Sequence, residues 1–261
     1  MSVFGAYSRY YDLLYRDKDY PAEARYVHGL IQHHAPGAHS ILELGCGTGA
    51  HAAEFAGLGY EVHGIDASQG MLRGAEVRKS RLAFDVAARL GFSTGDARSF
   101  RASRQFDVVT ALFHVVSYQV SNEDLSQTFA TAAAHLAPGG IFVFDFWYGP
   151  AVLSDPPVVR VKRLEDAATR VLRIAEPTMH FNENVAEVAY HVLVTDQASG
   201  QTEEIQELHR MRYLFAPELS LGLRTAGLEP VQFSAWLSDD TPTHRTWNVV
   251  MVGRAAPVGE G

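Results

Sequence analysis

The stretch Glu43-Leu44-Gly45-Cys46-Gly47-Thr48-Gly49 closes a short strand that begins Ser40-Ile41-Leu42 and precedes a helix-forming segment that opens at Ala50. Glycines at a strand-to-helix joint let the chain turn tightly, and they let a ligand approach the backbone with no Cβ in the way. Strand, glycine turn and helix are the unit from which a parallel sheet is wound. The unit recurs. Further strands are predicted at 60–65, 90–94, 106–113 and 141–146, the last entered through a turn at Pro138-Gly139-Gly140. Helices are predicted at 20–34, 50–58 and 122–136, and another, with Ser68 as N-cap, carries Met71, Leu72 and Ala75. The fourth and fifth strands are apolar almost throughout, as strands covered on both faces should be.

The hydrophobic period then changes. Between 156 and 214, runs such as Val185-Ala186-Glu187-Val188-Ala189-Tyr190 alternate, and Asn182-Glu183-Asn184 and Ala198-Ser199-Gly200 supply turns. That predicts an antiparallel meander set into the parallel core. A helix at 217–226 and strands at 231–236 and 245–252 return the chain to the core. The expected fold class is α/β, a doubly wound, mostly parallel seven-stranded sheet with an antiparallel β insertion at 156–214. Residues 1–261 read as a single domain whose insertion forms part of a substrate pocket.

Charge narrows the partners. The 22 Lys and Arg against 30 Asp and Glu leave a formal net charge of −8, which disfavours phosphate backbones and anionic lipid surfaces. The tyrosine-rich start has no apolar signal-peptide core, and no run reaches the ~20 apolar residues of a membrane span. Cys46 is the only cysteine, so no intrachain disulfide can form and a reducing compartment fits. The expectation is a cytoplasmic protein with a small-molecule partner, no nucleic acid, no membrane and no metal site; a homodimer is compatible with it.

Two ligands fit the glycine loop taken alone. Gly45, Gly47 and Ala50 loosely satisfy a dinucleotide fingerprint, with Asp66 near the place of a ribose-binding acid. Glu43, however, stands two residues before Gly45, where a pyrophosphate gains nothing from a carboxylate and a cationic amino acid does. Asp66 ends the second strand, where it can accept both ribose hydroxyls. Asp96 ends the third, where it can take an adenine amine. S-adenosyl-L-methionine, with adenine, ribose, sulfonium and ammonium, satisfies all three acids.

At these residues the chain resembles the class I S-adenosylmethionine-dependent methyltransferases, with a Rossmann-like fold. The matching pieces are ELGCGTG (43–49), GIDAS with Met71-Leu72 (64–72), GDAR (95–98), FDVV (106–109) and LAPGG (136–140). The resemblance implies that Gly45 and Gly47 back the methionine moiety and that Asp66 holds the ribose. It implies that Ala67 and Met71 flank the adenosine, that Asp96 and the Ala97 amide read the adenine, and that Glu43, Cys46 and Phe113 complete the cofactor site.

Methyl transfer is an in-line displacement, so the protein must align donor and acceptor and take a proton where the acceptor carries one. The site belongs at the carboxyl ends of the strands, which selects Phe113 to Gln119 and Phe146 to Pro150. His114 is the general-base candidate, with packing against the cofactor as the alternative. Tyr118 can orient an acceptor, and Trp147 and Tyr148 can wall it. The opening Tyr7-Ser8-Arg9-Tyr10-Tyr11-Asp12 is similar to that of bacterial sugar N-methyltransferases, in which a tyrosine matching Tyr11 faces the substrate. That group carries a histidine where this chain has Tyr118 and lacks one at 114. Arg160, Lys162, Arg163, Arg170 and Arg173 form a cationic strip, either a solvated face or a clamp for a substrate phosphate. The expected reaction is S-adenosylmethionine-dependent methylation of a small molecule, with an amino-sugar nitrogen leading. A sugar or secondary-metabolite hydroxyl, a non-catalytic cofactor-binding module and a nicotinamide oxidoreductase are the alternatives.

Overall fold

The computed structural model describes residues 10–257. The Tyr7-Ser8-Arg9 part of the aromatic opening lies outside them. After a one-turn helix α1 (Tyr11–Leu14), helix α2 (Tyr20–His34) starts where the Asp19 side chain accepts the Ala22 N–H at 2.9 Å. Pro21 stands in its first turn, and Ala24, Val27, Leu30 and Ile31 supply its buried stripe.

Five strands then alternate with helices: β1 (Ser40–Leu44), α3 (Ala50–Gly57), β2 (Glu61–Asp66), α4 (Gln69–Lys79), α5 (Phe84–Ala87), β3 (Leu90–Thr94), β4 (Phe106–Ala111), α6 (Asn122–His135) and β5 (Leu136–Trp147). After α7 (Gly149–Ser154) come β6 (Arg160–Glu165), β7 (Thr169–His180), β8 (Val185–Asp196) and β9 (Thr202–Arg212). Helix α8 (Ala216–Thr225), β10 (Leu228–Ala235) and β11 (Asn248–Ala255) close the chain. The main sheet has seven strands in the order β10-β11-β5-β4-β1-β2-β3, and β6 to β9 form a separate antiparallel sheet. Pairings among β1 to β5 are parallel; β11 runs antiparallel between β5 and β10.

Apolar clusters cover both faces of the main sheet. One holds Leu42, Phe106, Phe129, Phe142 and Phe144; the other holds Val27, Ile31, Ile41, Phe55 and Val108. Alternate residues of the same strands feed opposite clusters, as the pleat requires.

The last two strands lie three residues from where they are expected, β10 beginning at Leu228 and β11 spanning Asn248–Ala255, and two further boundaries differ for a local reason. β4 stops at Ala111, because Phe113 and His114 adopt φ of 62° and 67° and turn the chain out of the sheet. β5 begins at Leu136 and runs through Pro138-Gly139-Gly140, with Gly139 at φ 76°. Helices α1, α5 and α7 are too short to leave a periodic signature in the sequence. No helix among the described residues is long and apolar enough to cross a membrane.

Candidate active site

The parallel strands end on one edge, and a cavity of about 610 Å³ opens there, lined by Gly45, Gly47, Asp66, Met71, Asp96 and Phe113 among others. Gly45, Gly47 and Gly49 have φ of 68°, 55° and 70°, a region where side chains are strained. At Gly45 a Cβ would also stand 2.6 Å from Val115 Cγ2, whereas at Gly47 it would meet nothing within 4 Å. The first glycine therefore lets the wall close up behind the ligand, and the second leaves the space in front of the backbone open.

Asp66 sits at the carboxyl end of β2. Its Oδ2 accepts the Gly47 N–H at 2.9 Å and its Oδ1 accepts the Ser68 N–H at 2.7 Å. Burial raises its pKa against these hydrogen bonds. The carboxylate thus ties the glycine loop to the start of α4 and keeps lone pairs for diol hydroxyls. Ser68 caps α4 by accepting the Met71 N–H, which brings Ala67 and Met71 onto the cavity wall. Past β3, Asp96 and Ala97 form the opposite end of that wall. Asp96 is held by Arg98, whose Nη2 lies 2.5 Å from Asp96 Oδ2 and whose Nη1 lies 2.7 Å from Asp124 Oδ1. The Arg98 hydrogen bonds hold the Asp96 carboxyl below its usual range, so Asp96 remains an ionised acceptor.

Glu43 stands one layer behind the glycines, 2 % exposed. Its Oε2 is buried and finds no hydrogen-bond partner among the described residues. Burial first, and then the charge of Asp66, push its pKa to about 8. A cation placed beside the loop relieves both effects, and a cationic amino acid fits this end of the cavity better than a pyrophosphate does. His51 Nδ1 lies 3.8 Å from Glu43 Oε1, and His51 Nε2 lies 2.8 Å from Glu23 Oε2; Lys18 pairs with Glu23 in turn. Burial pulls the Glu23 carboxyl up, but His51 and Lys18 outweigh it and hold it at about 2. Cys46 is buried too, and burial raises its thiol well above the ordinary value. Its N–H donates to Ile65 at 2.9 Å, and Gly64 leaves room for its side chain. It packs as a small apolar residue.

The rest of the cavity wall is built by the chain leaving β4. Two consecutive non-glycine residues at positive φ store strain that needs support, and Asp145 on β5 provides it. Asp145 Oδ1 accepts the His114 N–H at 3.1 Å, and Oδ2 lies 2.7 Å from His114 Nδ1. This holds the His114 ring against Phe113 and Trp147 and off the cavity wall. Phe113 stays on the wall, and the 3-10 turn Val115–Tyr118 carries Tyr118 and Gln119 there. Trp147 and Tyr148 stand behind, Trp147 against Trp247 and Tyr148 against Phe233.

From the other side, Tyr11 reaches the wall from α1. That helix is clasped to the cofactor loop: Thr48 Oγ1 donates to Asp12 Oδ1 at 2.6 Å, and Arg78 Nη2 donates to Asp12 Oδ2 at 2.9 Å. It is clasped to the meander as well. Lys162 donates to the Leu14 carbonyl at 2.7 Å, and Leu14 packs against Leu164, Val171, Val192 and Ile205. Tyr118 meets the meander through its hydroxyl, 2.8 Å from His209 Nδ1. The cationic strip divides here: Lys162 serves α1, Arg170 Nε lies 3.7 Å from Glu165, and Arg173 lies over the Tyr190 ring.

Sequence reading assigned no site role to Asp145 or to the pair Glu207 and His209. Asp145 had a signal, as the sole charged residue between Ile141 and Trp147. His209 and Glu207 had one as well, through the alternation of β9.

A doubly wound sheet that gathers a glycine loop, Glu43, Asp66 and Asp96 at one end suits a nucleoside that carries a positive charge. Residues 41–140 match a family model described as "Methyltransferase domain". The chain is 31% identical over 220 residues to the dTDP-3-amino-3,4,6-trideoxy-alpha-D-glucopyranose N,N-dimethyltransferase of Streptomyces venezuelae, covering 84% of this chain and 88% of that enzyme. Among solved structures, Streptomyces venezuelae DesVI superposes with a TM-score of 0.79 at 26% identity, over 97% of this chain and 98% of that one. The S-adenosylmethionine-bound amino pentose methyltransferase CalS10 of Micromonospora echinaspora superposes with a TM-score of 0.73 at 25% identity, over 98% and 99%. The chain belongs to the S-adenosylmethionine-dependent methyltransferases. It is an enzyme, and S-adenosylmethionine is its methyl donor.

Proposed function

We propose that this chain methylates the amino nitrogen of a nucleotide-linked sugar. The observation that carries the reading is the extent of the likeness to the Streptomyces venezuelae N,N-dimethyltransferase. At 84% of the chain it runs past the cofactor-binding core into the elements that build the acceptor side.

When bound, S-adenosylmethionine supplies a methyl group made electrophilic by the sulfonium. The chain's own residues do the rest. Asp66 accepts from the ribose hydroxyls, with Ala67 and Met71 beside the adenosine; Asp96 and the Ala97 amide hold the adenine. Gly45 and Gly47 back the methionine moiety, and Glu43, losing its proton, balances the ammonium from behind the loop. Phe113 and Cys46 complete that side. Tyr11 and Tyr118 face the acceptor from opposite walls and line its nitrogen up with the methyl group. His114, held by Asp145, shapes the wall that carries Phe113, with Trp147 and Tyr148 behind it. Residues 156–214 close the acceptor pocket and exclude water.

The test is mass spectrometry of the chain with S-adenosylmethionine and dTDP-3-amino-3,4,6-trideoxy-α-D-glucopyranose, beside the analogue with hydroxyl in place of amino. Gain of one or two methyl groups on the amino sugar alone is expected. Methylation of the hydroxyl analogue alone would overturn the nitrogen assignment in favour of an O-methyltransferase.

A further inference from the structure

The turn that leaves β3 carries an acid and a base two positions apart, Asp96 and Arg98 in Gly95-Asp96-Ala97-Arg98. An aspartate in a turn accepts the main-chain N–H two residues on, and the Arg98 N–H donates to Asp96 Oδ1 at 2.9 Å. The turn so formed brings the two side chains together. Arg98 Nε donates to Oδ1 at 2.9 Å and Nη2 to Oδ2 at 2.5 Å, the two-pronged contact that a guanidinium forms and an ammonium cannot. The remaining prong, Nη1, donates at 2.7 Å to Asp124 Oδ1 in the first turn of α6. Asp124 is fixed in turn by Ser121 Oγ, 2.7 Å from its Oδ2. The Arg98 and Asp96 side chains are 42% and 37% exposed, so their pairing does little for the fold, yet both residues line the cavity.

What the pairing changes is the set of lone pairs left on Asp96. A carboxylate offers about four acceptor directions. Arg98 takes both on Oδ1, with its main-chain N–H and Nε, and one on Oδ2, with Nη2; Nε also stands 3.2 Å from Oδ2. Among the described residues that leaves one acceptor direction, on Oδ2. The same hydrogen bonds hold the carboxyl below its usual range, so it does not become a donor by taking a proton. One residue along, the Ala97 N–H has no acceptor among the described residues. An adenine edge offers a donor, the exocyclic amine, and an acceptor, ring N1. A hypoxanthine edge reverses both. Its carbonyl oxygen would face the Asp96 lone pair, and its N1–H would face the Ala97 N–H.

We propose that Arg98 makes the nucleoside end of the site specific for a 6-aminopurine, by turning the Asp96 carboxylate so that one Oδ2 lone pair is left for a single exocyclic N–H. This rests on the adenine placement given above. Arg98 acts through Asp96 and is a positioning residue; Asp124 fixes it from α6.

The test is calorimetric and needs no methyl acceptor. Dissociation constants of S-adenosylhomocysteine and of S-inosylhomocysteine, its 6-oxo counterpart, are compared for wild type, Asp96→Asn, Arg98→Gln and Arg98→Lys. Wild type should prefer the amino ligand by a factor on the order of 100. Asp96→Asn should lose most of that preference, because an amide can present either an acceptor or a donor. Arg98→Gln should cut the preference about tenfold, and Arg98→Lys nearly as much, since an ammonium keeps the charge without the fork. Adding Asp124→Asn to Arg98→Gln should change nothing more. Should Arg98→Gln weaken both ligands equally, with Asp96→Asn alone losing the preference, Arg98 is a structural tie and the proposal fails while the adenine placement stands. Full preference in Arg98→Lys would overturn it as well, by showing that charge suffices. If wild type binds both ligands alike, or Asp96→Asn keeps the wild-type ratio, the adenine is not read at Asp96, and placement and proposal fall together. Both side chains lie on the exposed rim, so these variants leave the packed core intact.

Discussion

Glu43 concentrates the chemistry of the cofactor loop in one side chain. Its carboxyl is held near pH 8 by burial and by Asp66, against 4.5 in an open chain. Between those values the folded protein binds a proton that the unfolded chain has released, so stability falls as pH rises through the window. Wild type should therefore lose stability between about pH 5 and pH 8 relative to Glu43→Gln, a difference on the order of a few kcal/mol. Urea midpoints of both proteins across this range measure it. Parallel curves would mean that Glu43 is already ionised in the free protein. With S-adenosylhomocysteine bound, the wild-type slope should flatten, because the ligand ammonium favours the carboxylate. Gly45 shows a harder constraint, since its φ and the nearness of Val115 both forbid a side chain.

Helix α1 illustrates how an element too short to stand alone acquires a role. A helix of four residues cannot pay its own nucleation cost, so it holds only by docking. Leu14 is fully buried against the meander, Lys162 takes its carbonyl, and Asp12 bonds with Thr48 and Arg78. The element joins the cofactor loop to the second sheet and brings Tyr11 to the cavity. Leu14→Ala removes about 2–5 kcal/mol of packing, but the loss should appear as local undocking. We expect the S-adenosylhomocysteine dissociation constant to rise several-fold while the urea midpoint falls less than in Leu42→Ala, which opens a cavity in the main core. Calorimetry and urea titration of the two variants separate the effects. Equal midpoint losses would show that α1 unfolds only with the whole chain.

For the whole molecule, the cavity spans the ends of β1, β2 and β3, so a ligand bound there would tie strands that the sheet alone must hold in the free protein. S-adenosylhomocysteine at 100 times its dissociation constant should stabilise the fold by about 2.7 kcal/mol, which raises Tm by roughly 5–10 °C for a chain of this length. Asp66→Ala should show no such shift at the same concentration; a wild-type-sized shift in the variant would remove Asp66 from the site. The strands that carry this site could be read from the chain because their determinants are local: alternation, apolar runs, and glycines and acids within a few positions of each strand end. The acceptor side could not. Tyr118 and His209 are 91 positions apart, and Leu14 and Lys162 are 148 apart. Their meeting depends on how the meander seats on α1 and on the turn after β4. The outward course of His114 depends on Asp145 in a neighbouring strand. Composition and local pattern determined a methyl-donor site on a doubly wound sheet, because turn geometry and burial act over a few residues. Only the packing of two sheets and one short helix decided which distant side chains meet around the cavity, because contacts between distant segments are set by the shape of the assembled chain.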